Sequence, residues 1–119
     1  MPEPRQGEVW RVDLEPARGD EMRKSRPAVV VSSDAIGKLR LRIIVPVTDW
    51  KDRYATLPWM VPLDPDTASG LTKPSAADAF QIRSVSLERM GSRLGVLPEE
   101  TLDAIIVAIL LSVRYRPAP

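Results

Sequence analysis

Cysteine and histidine are both absent from this chain of 119 residues. The lack of cysteine excludes disulfide bridges and thiolate metal sites, and the lack of histidine removes the commonest metal ligand and general base. Any catalysis by this protein must therefore proceed without imidazole or thiol. The sequence predicts neither a bound metal nor a cofactor.

Long apolar stretches are also missing. The longest apolar run, Ala104 to Leu111, is far shorter than the roughly 20 residues of a membrane span. Residues 1–6 are polar and rich in proline, with no apolar stretch of the signal-peptide type behind them. We therefore expect a cytoplasmic protein with no membrane partner. The length predicts one domain, over residues 1–119, with a core that needs no cross-links.

The charges are nearly balanced, with 17 basic and 16 acidic residues and a net charge of +1. This balance does not by itself predict a polyanionic partner, so the positions of the charges matter more than their sum. Eight basic residues fall in predicted loops or on the polar face of a strand: Arg18, Arg23, Lys24, Arg40, Arg42, Lys51, Arg53 and Lys73. Trp50 and Tyr54 are predicted as exposed aromatics among them, an arrangement suited to single-stranded RNA.

The hydrophobic pattern predicts a mostly β domain with one helix at the carboxy terminus. Alternation or β-branched runs predict strands over residues 8–14, 27–33, 39–48, 59–63, 76–82 and 90–96. Pro98 followed by Glu99 and Glu100 is typical of a helix start. The apolar stripe of this helix is wider than one core contact requires, which we interpret as burial against a second subunit; packing under a neighbouring loop is the alternative.

One segment is the strongest candidate for a functional site. Arg26 stands immediately before Pro27, which opens a buried strand, and a long charged loop over residues 15–25 precedes it. If the next two strands form a hairpin centred near Gly37, position 26 lies opposite position 48 or a diagonal neighbour. Arg26 and Thr48 would then project from the same end of the sheet, as a phosphate-handling site requires.

Several landmarks occur in a recognisable order along the chain. They are Gly7-Glu8-Val9-Trp10, Gly19-Asp20-Glu21, Arg26-Pro27, Pro46-Val47-Thr48, Ser69-Gly70-Leu71 and Gln81-Ile82-Arg83-Ser84. Over nearly its whole length, the chain thereby resembles the MazF/PemK family of toxin endoribonucleases from bacterial type II toxin–antitoxin systems. The resemblance implies a small SH3-like β-barrel of the CcdB/MazF type with a carboxy-terminal helix, in a homodimer.

The resemblance also implies roles for individual residues. The family's catalytic pair, an arginine before proline and a threonine closing the next strand, matches Arg26 and Thr48. Glu21 and Gln81 match residues that line the RNA site, and Lys24 is a basic residue beside them. The first loop, however, reads Gly-Asp-Glu-Met from residue 19 where the family more often has Gly-Ser-Glu-Gln. This difference leaves the loop's polar contacts and the cleavage sequence open.

The implied reaction is attack of an RNA 2′-hydroxyl on the adjacent phosphate, which gives a 2′,3′-cyclic phosphate and a 5′-hydroxyl end without a metal ion. Arg26 suits stabilisation of the extra phosphate charge, because its planar fork holds two oxygens at once. Thr48 can donate one further hydrogen bond. A guanidinium with a pKa above about 12 is a poor base, so our hypothesis assigns the proton acceptor to Glu21 or to water.

A MazE-like antitoxin is the implied partner, with a DNA-binding part and an acidic tail, so contact with DNA would be indirect. Two other functions compete: a CcdB-like toxin that binds DNA gyrase, and a non-catalytic nucleic-acid-binding barrel. The gyrase poisons end in a Trp-Gly-Ile-type sequence, whereas this chain ends Arg116-Pro117-Ala118-Pro119. Singly, Arg26, Thr48, Glu21 and Gln81 each have an ordinary structural explanation. Their order along the chain favours a function.

Overall fold

The computed structural model describes residues 3–114 and shows a mostly antiparallel β fold with one carboxy-terminal helix. The strands are β1 (Glu8–Asp13), β2 (Ser25–Val30), β3 (Leu41–Asp49), β4 (Met60–Leu63), β5 (Ser75–Asp78), β6 (Arg83–Ser86) and β7 (Met90–Val96), and the helix is α1 (Glu99–Ser112). Short 3₁₀ turns lie at Asp52–Thr56, Ala79–Gln81 and Leu87–Arg89. The predicted fold class, β with a terminal helix, is confirmed.

Strand β3 is at the centre of the sheet. The strands are ordered β4-β5-β3-β2-β1-β7, with β6 pairing on β3 beside β5. One edge of β3 therefore faces β2, and its other edge faces β6 near its start and β5 near its end. In the described part of the chain β4 and β7 do not pair with each other. The sheet is thus open, and strand pairing does not form the closed barrel expected from the sequence.

Apolar side chains are buried on both faces of the sheet. The larger cluster, which includes Val9, Val29, Val45 and Val47, packs against Ile105 and Ala108 of the helix. The second cluster consists of Trp10, Val12, Leu14, Ala28, Val30, Ile44 and Val85. Because adjacent residues of β2 and β3 enter opposite clusters, both strands read as continuous apolar runs in the sequence. These two strands form the rigid base of the site described below.

Residues 76–82 differ from the strand that their alternation predicts. Strand β5 ends at Asp78, and the Asp78 Oδ1 atom accepts a hydrogen bond of 3.1 Å from the Phe80 N–H. This contact begins the 3₁₀ turn Ala79–Gln81, after which the chain forms β6, a strand that the sequence did not indicate. Prediction of a single strand there was wrong, because a capping side chain diverts the backbone. The turn leaves Phe80 facing solvent rather than the core.

Helix α1 buries only part of its apolar surface. Ile105 and Ala108 are buried in the larger cluster, whereas Val107 and Leu111 are 53% and 55% exposed, and Val113, the residue after the helix, is 66% exposed. Part of the wide apolar stripe predicted from the sequence is therefore left uncovered by the rest of residues 3–114. Among these residues, no helix has both the length and the apolarity needed to cross a membrane.

The turn that follows β4 packs closely on β7. The Val96 N–H donates a 2.8 Å hydrogen bond to the carbonyl of Ala68. Gly95 makes this approach possible, since a Cβ atom there would lie 2.1 Å from the Ala68 oxygen and 2.4 Å from the Ser69 carbonyl carbon. Both are backbone atoms that cannot rotate away. The contact connects the two ends of the open sheet.

We expect Gly95→Ala to destabilise the protein by about 3 kcal/mol or more, because overpacking against fixed backbone forces the turn away from β7. Gly91→Ala is the matched control: it lies in the same strand, and its added Cβ would be 3.2 Å from the nearest atom, the Arg11 oxygen. Urea unfolding of both variants gives the comparison. Equal stabilities would contradict the close packing.

Candidate functional site

The pairing of β2 with β3 determines which residues meet at the ends of these strands. Ala28 pairs with Pro46 and Val30 with Ile44. Extending this register by two residues brings position 26 opposite position 48, as the hairpin spacing predicted. Arg26 and Thr48 are each half-buried at this end of the sheet.

Pro27 explains why the pairing stops before these two residues. The Val31 N–H donates to the Ile43 carbonyl over 2.9 Å, so the odd-numbered residues of β2 direct their backbone groups toward β3. The next odd-numbered residues toward the start of β2 are Val29 and then Pro27. Pro27 has no N–H to donate. The two strands separate there. A cavity of about 420 Å³ lies at the separation.

This basic cavity, as we name it, has a strong excess of positive charge. Its charged lining residues are Arg11, Lys24, Arg26, Lys73 and Asp49. Lys73 and Asp49 form an exposed ion pair of 3.1 Å, which leaves three cations around Thr48 without a carboxylate partner in residues 3–114. Such a set of groups attracts a phosphate. Arg11 was not predicted for the site, although its outward position in β1 is visible in the alternation.

Arg26 is held in place by the backbone of the preceding loop. Its Nε–H donates a 2.8 Å hydrogen bond to the Arg23 carbonyl. Within the described residues, its two terminal nitrogens make neither a hydrogen bond nor an ion pair. The guanidinium is therefore oriented through Nε while its two terminal nitrogens stay available for a ligand.

Lys24 is positioned by an unusual backbone conformation. Its φ of +69° lies in the left-handed region, which a residue with a Cβ occupies only at a cost. The Lys24 carbonyl accepts a 2.9 Å hydrogen bond from the Leu14 N–H, which closes the base of the loop. Lys24, Arg26 and Thr48, three of the five predicted site residues, thus line the same cavity.

Glu21 and Gln81 line a different cavity on the opposite edge of β3. Even-numbered residues of β3 direct their backbone groups toward β5 and β6. Pro46 is one of them and has no N–H. The pairing of β3 with β5 and β6 is therefore interrupted at Pro46, beside the 3₁₀ turn Ala79–Gln81. A second cavity of about 420 Å³ opens there, which we name the loop cavity. It is lined by Leu14, Asp20, Glu21, Met22, Pro46, Phe80, Gln81, Ile82 and Arg83.

Gln81 fastens the loop to the sheet. Its Oε1 atom accepts a 2.7 Å hydrogen bond from the Met22 N–H, and its Nε2 donates over 3.0 Å to the Asp20 carbonyl. Glu21, between these two residues, accepts a 3.2 Å hydrogen bond from the Arg18 N–H. Gln81 thus holds the loop in place. Contact of Glu21 or Gln81 with RNA stays a prediction.

Two residues counted as exposed in the sequence are buried. Arg42 is only 5% exposed, and its guanidinium donates to the carbonyls of Pro4, Leu39 and Leu41. Tyr54 is 8% exposed and lies edge-to-face with Trp50 at 5.8 Å between ring centroids. Neither residue contributes to a basic or stacking surface, so this part of the predicted RNA-binding surface was wrong.

Asp78 is a buried carboxylate two residues before Phe80, which lines the loop cavity. Burial raises the pKa of its carboxyl above the usual value, against the opposing effect of hydrogen bonds from the N–H groups of Phe80 and Gln81. Asp78 holds the turn that carries Gln81, and so indirectly supports the loop. Within residues 3–114, no group of three potential metal ligands is close enough to hold an ion.

Comparison with other proteins gives a consistent result. Residues 5–113 match the family of PemK-like, MazF-like toxins of type II toxin–antitoxin systems. The chain is 41% identical over 113 residues to endoribonuclease MazF9 of Mycobacterium tuberculosis, covering 90% of this chain and 93% of that one. It is 30% identical over 102 residues to endoribonuclease PemK of Escherichia coli, covering 84% and 74%.

Solved structures share the fold. MazF from Deinococcus radiodurans superposes with a TM-score of 0.80 at 23% identity, covering 95% of this chain and 98% of that one. An endoribonuclease in complex with its cognate antitoxin, from a mycobacterial species, gives a TM-score of 0.75 at 24% identity, with 98% and 99% covered. At these identities the likeness concerns the fold.

We expect Gln81→Ala to release the loop without unfolding the domain. Loss of both hydrogen bonds should speed amide exchange at Met22 by roughly tenfold, equivalent to about 1.4 kcal/mol of local stability. Hydrogen exchange read by NMR checks this, with Ile43 in β3 as the internal reference. Unchanged exchange at Met22 would show that Gln81 does not fasten the loop.

The raised pKa of Asp78 predicts a specific pH dependence of stability. The folded state binds the proton of Asp78 more tightly than the unfolded chain does. Asp78 therefore stabilises the folded state at a pH below its ordinary pKa of 3.8, and this stabilisation is lost as the pH rises through the pKa of the folded state. Asp78→Asn retains an acceptor for the Phe80 N–H and has no titrating group. Urea unfolding at stepped pH should therefore show wild type losing stability relative to Asp78→Asn across that range. A constant difference would contradict the raised pKa.

Proposed function

The chain belongs to the PemK-like, MazF-like toxins of type II toxin–antitoxin systems, and from this premise we propose that it is an endoribonuclease that cleaves single-stranded RNA in the basic cavity. The observation that carries the proposal is the presence of Arg26 and Thr48 in one cavity with an excess of cations. Cleavage of messenger RNA would halt translation, which accounts for toxicity.

Arg26 is the electrostatic centre of the proposed reaction. The substrate 2′-oxygen forms a bond to phosphorus while the bond to the 5′-oxygen breaks, so negative charge accumulates on the non-bridging oxygens. The two terminal nitrogens of Arg26 bind these oxygens, and the Thr48 hydroxyl donates a further hydrogen bond. Lys24 and Arg11 bind neighbouring phosphates. The substrate supplies the nucleophile, so the protein contributes positioning and charge.

Two protons move in this reaction: the 2′-hydroxyl loses one, and the departing 5′-oxygen gains one. Glu21 lines the loop cavity, whereas Arg26 and Thr48 line the basic cavity. This separation favours water as the proton acceptor over Glu21, the two alternatives that the sequence left open. We assign Glu21 to substrate binding instead.

An antitoxin partner accounts for control of this activity. One structural relative is described as an endoribonuclease in complex with its cognate antitoxin. We propose that a MazE-like antitoxin places an acidic tail across Arg11, Lys24 and Arg26, where it competes with RNA phosphates. DNA would be contacted only through the antitoxin.

The proposed assembly is a cytoplasmic homodimer of single-domain chains, each spanning residues 1–119. The exposed apolar side chains of α1, together with Leu41 and Ile43 at the start of β3 and Leu39 just before it, provide apolar surface for a second subunit. The SH3-like barrel architecture is supported by the contact between Ala68 and Val96, which brings the turn after β4 onto β7.

The test is incubation of purified protein with a long RNA of mixed sequence in EDTA, followed by sequencing of the cut ends. Wild type should give discrete cuts with 2′,3′-cyclic phosphate ends. Arg26→Ala should cut at least roughly 100-fold more slowly, since it removes the main charge stabilising the transition state. Thr48→Val, which loses one hydrogen bond, should cost roughly tenfold.

Lys38→Ala is the control, because Lys38 is exposed, lies outside both cavities and is not one of the basic residues that the sequence placed near the site. It should cleave at the wild-type rate. Failure of folded wild type to cut, or equal cutting by Arg26→Ala, would overturn the proposal. RNA binding without cleavage would favour the non-catalytic binding barrel.

A further inference from the structure

The edge of β1 that faces β7 loses its partner just before the loop to β2 begins. Strand β7 starts at Met90, opposite Val12, and no strand in residues 3–114 continues along that edge. The Leu14 N–H donates over 2.9 Å to the Lys24 carbonyl, toward β2, so alternation directs the carbonyls before and after Leu14 to the uncovered edge. These carbonyls need donors from elsewhere.

Arg89, the residue immediately before β7, supplies those donors. Its Nη1 donates to the Asp13 carbonyl over 3.3 Å and also to the Glu15 carbonyl. Arg83 supports the residue between them, because its Nη1 donates to the Leu14 carbonyl over 3.2 Å. Three consecutive carbonyls, of residues 13–15, are therefore held by guanidinium groups. We name these three residues the loop stem.

The charge of Arg89 is directed to the backbone rather than to a carboxylate. Within the part of the chain that the structure describes, Arg89 forms no ion pair. Its side chain is half-buried and lies outside both cavities. A charged donor makes stronger hydrogen bonds than a neutral one. Arg89 is thus suited to fixing the loop stem, and it is not placed to touch RNA in either cavity.

Short hydrogen bonds connect the loop stem to Arg26. The bond from Leu14 to the Lys24 carbonyl ties the stem to the far end of the loop. The carbonyl of the preceding residue, Arg23, accepts the 2.8 Å hydrogen bond from the Arg26 Nε–H. A displacement of the stem therefore moves the acceptor that orients the Arg26 guanidinium.

We propose that Arg89 is a positioning residue for Arg26: it holds the loop stem still, and the stem holds the carbonyl that orients the Arg26 guanidinium. This inference rests on the proposed function and adds to it a residue outside both cavities. A misplacement of about 1 Å in a reacting group can lower a rate by about 100-fold. The contribution of Arg89 is therefore to the rate of cleavage and not to the affinity for RNA.

The Arg26 Nε–H reports its own orientation by NMR, with no RNA present. Arg89→Met keeps the length of the side chain and removes the donor, and Arg89→Gln keeps a polar side chain that is too short to reach both carbonyls. In each variant, hydrogen exchange of the Arg26 Nε–H should be roughly tenfold faster than in wild type. Amide exchange at Val45, in the core of β3, should stay unchanged and serves as the reference for global unfolding.

Two further variants separate positioning from a general effect of charge. Both hydrogen bonds of Arg89 leave from one nitrogen, so the single ammonium of Arg89→Lys can replace them and should restore slow exchange. Arg93→Met is the matched control, because Arg93 lies in β7, donates over 2.7 Å to Glu8 and lies outside both cavities. It removes the same charge and should leave exchange of the Arg26 Nε–H at the wild-type rate.

Cleavage provides the second measurement. With an RNA that contains the wild-type cut motif, the single-turnover rates of Arg89→Met and Arg89→Gln should fall by roughly tenfold to one-hundredfold. The dissociation constant of the same RNA, made uncleavable by a 2′-deoxy sugar at the scissile position, should stay within about threefold of wild type, since salt screens a charge outside the cavities. Arg89→Lys and Arg93→Met should cut at nearly the wild-type rate.

Unchanged exchange of the Arg26 Nε–H in folded Arg89→Met or Arg89→Gln would overturn the inference. A loss of RNA affinity as large as the loss of rate would also overturn it, because Arg89 would then bind substrate itself. The exchange measurement needs no substrate. If wild type cuts no RNA, the proposed function fails, while the exchange rates still decide whether Arg89 positions Arg26.

Discussion

The missing N–H groups of two prolines determine where the sheet of this protein opens into cavities. Successive residues of a central antiparallel strand direct their backbone groups to alternate edges, so both edges are normally paired along the whole strand. Pro27 cannot donate toward β3 from one side, and Pro46 cannot donate from β3 toward the other. Pairing therefore fails at two points on opposite edges of β3, and a cavity lies at each. Strands β2 and β3 hold both openings in place, while β1 and β7 pair with register shifts between Val9 and Val12.

The loop between β1 and β2 depends on the segment that follows β5. Gln81 bonds to the middle of the loop, while Arg83 and Arg89 donate to the carbonyls of Leu14 and Asp13 at its base. The loop thus acquires its shape from contacts distant in sequence in addition to hydrogen bonds among its own residues, such as that from the Arg18 N–H to Glu21. This arrangement explains how a segment with many charges and no hydrophobic period can present Lys24 and Glu21 in defined places.

The sequence was informative where local rules decide the structure. The opposition of positions 26 and 48 follows from hairpin symmetry, because a residue count about the turn determines the register. Prediction from local sequence failed where a partner distant in sequence determines the position of a side chain. Arg42 alternates like an exposed strand residue, yet Pro4 supplies a buried acceptor from 38 residues away. Phe80 lies in a run that alternates like a strand, and only the capping contact from Asp78 shows that the strand ends.

The contact of Gly95 with the turn after β4 also bears on self-association. An uncovered terminal strand offers a row of free N–H and carbonyl groups to other chains, the usual start of edge-to-edge aggregation. Here the Ala68 carbonyl occupies the Val96 N–H of β7, and the turn lies over that edge. A change that displaced the turn would expose β7 as a template for intermolecular pairing. Loss of this packing would consequently appear as insoluble protein in the cell before any loss of catalytic chemistry.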